Sequence, residues 1–239
     1  MKNTATSKTF LLFDIDGTLL YSDKRDSQVF AQCYGQTFGR PFPTIDWTQF
    51  PEVTDHVIFR TAFYDHFKRY PLEQERLEFE EKYLAALAQV RREEPRAYRE
   101  VPGAAAFWRR LDEREDIILG IATGGWQRPA AIKLAHIGLP PTPTYAAYAN
   151  DKFSRVDILQ EAIDLAAATH EVARVIYFGD AIWDLTTTRK MGIPMVGVRW
   201  RGDHHILKDQ GQQYVITDYR QPDQIEDLLA ALTTPEVRP

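Results

Sequence analysis

An α/β doubly wound, mostly parallel sheet carrying an inserted all-helical segment is the fold class this sequence predicts, and three observations predict it. Short, continuous apolar runs recur: Thr9-Phe10-Leu11-Leu12-Phe13, then residues 117–122, 175–178 and 195–198. They lack polar alternation, so they read as strands buried on both faces, as in a parallel sheet. Stretches with helical periodicity separate the later runs, which gives the strand–helix alternation of a doubly wound sheet. That alternation fails once, between about residues 21 and 99, where only helical patterns occur.

Taken in order, the first strand stops at Asp14-Ile15-Asp16-Gly17-Thr18. In the stretch that follows, Val29, Phe30, Cys33, Tyr34, Thr37 and Phe38 recur on one helical face. Val53, Val57, Tyr64 and Phe67 form a second stripe, and Leu77, Leu84, Leu87 and Ala88 a third. Pro41, Pro43, Pro51 and Pro71 punctuate these segments. The run Arg91-Arg92-Glu93-Glu94 reads as a solvated helix end. Helices are then expected over residues 104–113, 129–136, 155–169, 185–191 and 225–232, with weaker strands at 145–148 and 214–216. The expected division is 1–20 with 100–239 as the α/β unit and 21–99 as the helical insertion. That insertion leaves and returns beyond the C-terminal end of the first strand, where ligands bind in open parallel sheets.

Composition narrows the function classes. Of 239 residues, 44% are hydrophobic and 26% charged, which suits a globular chain of one domain with a large insertion. Lys and Arg number 29 against 34 Asp and Glu, a net charge of −5. With no basic run, this argues against nucleic acid or an anionic membrane as the main partner. No apolar run is long enough to span a membrane, and residues 1–8 are polar with no signal-peptide core. The lone Cys33 excludes an internal disulfide framework and a cysteine-built metal cluster. A cytoplasmic location is the resulting expectation; the composition leaves the oligomeric state open.

The chemistry-bearing residues stand at strand ends. Asp14 and Asp16 both turn toward one small volume, and Gly17 allows the backbone to bend there. Two carboxylates so close repel unless a cation lies between them or one holds a proton. A Mg2+ ion would keep Asp14 ionised as a nucleophile, and Asp16 would alternate as acid and base. The strand at 117–122 ends in Thr123-Gly124-Gly125, a hydroxyl followed by glycines whose N–H groups can approach an anion. The strand at 175–178 leads to Asp180, with Asp184 one helical turn on. Ser154 is a plausible N-cap, so Arg155 opens a helix against the dipole, and Lys152 lies in the preceding loop. Either could supply a cation. Cys33 reads as core packing, and Trp126 as packing or as a wall of the site. The pair His204-His205 has no local carboxylate to complete a metal site.

In this order, the elements resemble the haloacid dehalogenase superfamily of Mg2+-dependent phosphohydrolases over the whole chain. Asp14-Ile15-Asp16-Gly17-Thr18 is similar to the first motif, Thr123 to the second, and Asp180 with Asp184 to the fourth. The resemblance implies Asp14 as nucleophile, Asp16 as acid/base and Thr123 as the phosphate-binding hydroxyl. It also implies metal held by the Asp14 carboxylate, the Asp16 carbonyl and Asp180, with Asp184 in support. The third motif departs from the common lysine-proline form, so Arg155 or Lys152 must stand in. The helical insertion resembles the cap of phosphoglycolate phosphatase-like members, on a Rossmann-like core, and Thr54-Asp55 resembles a pair that faces substrate there. The expected activity is hydrolysis of a small phosphorylated metabolite through an aspartyl-phosphate. The alternatives are a phosphomutase using the same nucleophile and a non-catalytic signalling module phosphorylated on aspartate.

Overall fold

The computed structural model describes residues 7–22 and 24–233. Residues 1–6, most of the polar opening, lie outside the described residues. The chain runs β1 (Lys8–Phe13), β2 (Leu20–Tyr21), α1 (Arg25–Phe38), a 3-10 turn (Trp47–Gln49), α2 (Asp55–Phe67), α3 (Glu73–Glu93) and β3 (Arg99–Glu100). It continues through α4 (Ala104–Asp112), β4 (Ile117–Ala122), α5 (Gln127–His136), β5 (Tyr145–Ala147), α6 (Arg155–Ala167) and β6 (Val172–Gly179). The last elements are α7 (Ile182–Met191), β7 (Met195–Val198), α8 (His205–Lys208), β8 (Val215–Ile216) and α9 (Pro222–Thr233).

Six strands form one parallel sheet in the order β5-β4-β1-β6-β7-β8. Counted among themselves in chain order, they run 3-2-1-4-5-6, so the winding reverses between β1 and β6. This is the expected doubly wound, Rossmann-like arrangement, and its ligand crevice belongs at the carboxyl ends beside that reversal. Phe10 to Phe13 are all buried. Because successive side chains point to opposite faces, both faces of β1 are covered. The register then sets the crevice: Phe13 pairs with Ile121 on one side and with Phe178 on the other. The residues just beyond those three positions therefore emerge at one level of the sheet edge.

The helices α1 to α3 leave and return at one place. β2 and β3 pair antiparallel, Leu20 with Glu100 and Tyr21 with Arg99, and the Val101 N–H donates to the Leu19 carbonyl at 2.9 Å. Inside the helical segment the buried layer is mostly aromatic: Phe30, Tyr34, Phe59, Phe63, Phe79 and Tyr83. Phe59 and Phe79 stack with centroids 5.0 Å apart. Trp126, from the loop after β4, is fully buried and meets Phe30, Phe59 and Phe79. Of its two expected readings, packing is the one observed. Cys33 is buried as expected.

Two of the expected stripes are displaced. On α2 the buried residues are Ile58, Phe59, Ala62 and Phe63, whereas Tyr64 is exposed. On α3 they include Phe79, Tyr83, Leu84 and Leu87, whereas Leu77 is exposed. Both helices carry apolar residues on more than one side, so periodicity does not single out the buried face. The run at residues 91–94 ends α3 as expected, with Arg92, Glu93 and Glu94 exposed. Arg91 donates to the Ile132 carbonyl at 3.0 Å, and Glu94 pairs with Arg25 at 2.6 Å. Among the described residues, no helix is long and apolar enough to cross a membrane.

Candidate active site

A cavity of about 110 Å³ opens at the carboxyl end of β1, between the sheet edge and α1 to α3. Its wall includes Asp14, Asp16, Thr54, Asp55, Thr123, Gly124 and Arg155. These are seven of the ten residues singled out from the sequence. Asp180 and Asp184 stand directly behind Asp14: one carboxylate oxygen from each of the three lies within 4.8 Å of the others. Lys152 is not in the wall. It pairs with Asp151 at 3.2 Å and with Glu161 at 3.6 Å, on the outer side of α6.

Local sequence explains these positions. Asp14 follows β1 directly, and its N–H donates to the Phe178 carbonyl at 2.9 Å, which extends the β1–β6 ladder by one residue. Gly17 has φ +82°, and a Cβ there would collide with the Asp180 carboxylate. Only glycine meets both conditions at that turn. Gly124 is similarly confined, since a Cβ would run into the Arg155 guanidinium and come within 2.6 Å of the Val53 carbonyl. Thr54 caps α2, its hydroxyl accepting from the Val57 N–H at 3.3 Å. Asp55 reaches across to the sheet: its N–H donates to the Gly124 carbonyl at 2.7 Å, and its Oδ2 accepts from the Trp126 N–H at 2.9 Å.

Arg155 follows the Ser154 cap and is buried. Its guanidinium donates to Asp184 Oδ1 at 2.5 Å, to the Tyr177 hydroxyl at 3.2 Å and to the Val53 carbonyl at 3.3 Å. It lies 3.5 Å from Asp14 Oδ1. Asp184 is thereby fully engaged, because its Oδ2 accepts from the N–H groups of Asp180 at 3.2 Å and Ala181 at 3.1 Å. It braces the cluster. Asp14 Oδ1 is different: it is buried and has no hydrogen-bond partner.

Electrostatics sets these carboxylates apart. Burial lifts Asp14 from an ordinary 3.8 to about 7; Arg155 opposes the shift, while Asp184 and Asp16 add to it. Burial, then Asp184 and Asp14, push Asp180 well above the usual range. Buried carboxylates that disfavour their own charge are a fitting bed for a hard dication, and all the donors are oxygens. The donor set and the orphaned Asp14 oxygen thus fit a metal of the Mg2+ class, which Asp14 and Asp180 could hold.

Two functional-looking residues were missed in the sequence. Lys133, on α5, is buried and donates to Asp16 Oδ2 at 2.7 Å and to Asp26 Oδ2 at 2.8 Å. Asp26, at the start of α1, also accepts from the Tyr83 hydroxyl at 2.9 Å. Burial alone would lower the Lys133 pKa, but Asp16, Asp26 and Asp55 hold it well above the ordinary value. The available signal was a charge on an apolar stripe. Lys133 shares its face with Pro129, Ala130 and Leu134, and Asp26 precedes Val29, Phe30 and Cys33 at helical spacing. His204 bonds Thr217 at 3.0 Å, away from this cluster.

Asp55 yields a stability prediction. Burial raises its carboxyl from 3.8 to about 7, against the opposing pull of Lys133 and the Trp126 N–H. A carboxyl whose folded pKa is raised binds its proton more tightly in the native state, so stability falls as pH climbs from the unfolded value to the folded one. Asp55→Asn removes that loss. Its stabilisation at about pH 8 should exceed that at about pH 5 by roughly 2–3 kcal/mol. Denaturant curves for both proteins at both pH values check this; an equal difference at the two pH values contradicts it.

Comparison with known proteins agrees with this fold. No curated protein sequence matches the chain. Among solved structures, a hydrolase from Pseudomonas syringae aligns with TM-score 0.65 at 18% identity, covering 95% of this chain and 100% of that one. A predicted phosphoglycolate phosphatase from Haemophilus somnus aligns with TM-score 0.62 at 13% identity, covering 94% and 100%. CbbY from Rhodobacter sphaeroides, solved with phosphate, aligns with TM-score 0.58 at 15% identity, covering 88% and 94%. These likenesses speak to the fold. The model of the haloacid dehalogenase-like hydrolases matches residues 9–192, from β1 through the helix that carries Asp184, and the chain belongs to that family.

Proposed function

We propose that the protein is a Mg2+-dependent phosphomonoester hydrolase that acts on a small phosphorylated metabolite through an aspartyl-phosphate on Asp14. The observation that carries this reading is Asp14, a buried carboxylate in the wall of the cavity at the carboxyl edge of the sheet, with one oxygen that has no hydrogen-bond partner. A carboxylate with an unsatisfied buried oxygen suits a reactive group better than a structural one, because structural carboxylates are normally satisfied.

In the first step an Asp14 oxygen bonds to phosphorus and the bond from phosphorus to the alcohol oxygen breaks. Asp16 gives that oxygen its proton. In the second step water attacks the aspartyl-phosphate, its proton passes to Asp16, and inorganic phosphate departs. A bound Mg2+ would neutralise phosphoryl charge and keep Asp14 ionised. Thr123 and Arg155 hold the phosphoryl oxygens, and Lys133 fixes the rotamer of Asp16. Residues 21–99 act as a cap over a core of 1–20 and 100–239. With Thr54 and Asp55 at its edge, that cap excludes bulk water and contributes to substrate choice.

Phosphate release from a generic aryl phosphate tests the reading. Turnover should require a divalent metal, vanish in excess EDTA and return with Mg2+. Full activity in EDTA contradicts it.

A further inference from the structure

The part of the cavity away from Asp14, which receives the alcohol if the phosphatase reading holds, has an unusual charge balance. Asp16, Asp26 and Asp55 line it against the single ammonium of Lys133. That ammonium is already bonded to Asp16 and Asp26. The other cation of the wall, Arg155, is committed to Asp184 and lies toward Asp14. Hydroxyls of Ser22, Ser27 and Thr54 complete the polar lining, and Phe30, Trp47 and Ile58 give it an apolar side.

From this lining we infer that the substrate is the phosphate ester of a short, donor-rich alcohol, a polyol or an amino alcohol, that bears no acid group. Hydroxyl and ammonium groups find carboxylate acceptors in every direction. A carboxylate on the substrate would instead meet the acceptor oxygens of Asp16, Asp26 and Asp55, while Lys133 is already engaged and Arg155 lies at the phosphoryl end. Such repulsion discriminates by rejecting the wrong ligand. The volume supports a short alcohol: about 110 Å³ is well below the roughly 300–1,000 Å³ of pockets that take drug-sized ligands.

The test uses ester pairs matched in size, assayed with Mg2+ beside a generic aryl phosphate: glycerol 3-phosphate against 3-phosphoglycerate, and phosphoethanolamine against phosphoglycolate. The uncharged or ammonium member should exceed its carboxylate partner in kcat/KM by at least about 100-fold, and the faster of the two preferred esters identifies polyol or amino alcohol. Asp26→Asn should narrow the gap by about tenfold, mainly through a lower KM for the carboxylate ester. Turnover of the aryl ester with carboxylate esters equal or preferred overturns the inference and leaves the phosphatase reading standing. No turnover of any ester overturns both. An unchanged gap in a normally melting Asp26→Asn variant overturns the part assigned to Asp26.

Discussion

Asp14→Asn is expected to abolish phosphate release while making the metal-free protein more stable. The amide is nearly isosteric with the carboxylate and cannot attack phosphorus, so kcat should fall by at least about 10⁴-fold. Stability should move the other way. Burial raises the Asp14 pKa, the charges of Asp184 and Asp16 add to the shift, and Asp180 lies in the same cluster. Removing one of these like charges should stabilise the fold by about 1–3 kcal/mol in EDTA. A kinetic assay and a thermal melt in EDTA read the two effects on one preparation. Loss of activity with a collapsed melt would point instead to a structural role for Asp14.

The second large effect is expected at Arg155. Its guanidinium bonds Asp184, Tyr177 and the Val53 carbonyl and approaches Asp14 at 3.5 Å. Arg155→Ala strands the buried Asp184 carboxylate, which typically costs about 3–5 kcal/mol of stability. It also removes a cation proposed to bind the transferring phosphoryl group, which should lower kcat/KM by about 10²–10³-fold. Arg155→Lys returns the charge without the fork and should recover part of both losses. Lys152→Ala should change kcat/KM by less than about threefold, because Lys152 pairs with Asp151 and Glu161 and stands outside the cavity wall. Collapse of activity in the Lys152 variant, with wild-type rates in Arg155→Ala, reverses the assignment.

The fold was largely legible because its signals are local. Uninterrupted apolar runs marked β1, β4, β6 and β7, and the ends of β1, β4 and β6 announced their polar groups within two residues. The sheet register, which places Asp14, Thr123 and Asp180 at one edge, follows once the strands are parallel neighbours. The helical segment was harder to read. On α2, Val57, Ile58, Phe59, Ala62, Phe63, Tyr64 and Phe67 surround much of the helix, so periodicity alone could not choose the buried face. Lys133 and Asp26 escaped for another reason. They meet across 107 residues of chain, and each is an ordinary charge in its own helix. Only the tertiary contact between α5 and α1 turns them into part of one site.

The central claim is a covalent bond between phosphorus and Asp14. Borohydride quenching during turnover, followed by peptide mass spectrometry, tests it directly, because an acyl phosphate is reduced where an ordinary carboxylate is not. The account predicts a reduced side chain at position 14, present only when both substrate and Mg2+ are supplied and absent from Asp14→Asn. Steady phosphate release with position 14 never reduced, or with the label on Asp180 instead, would contradict it.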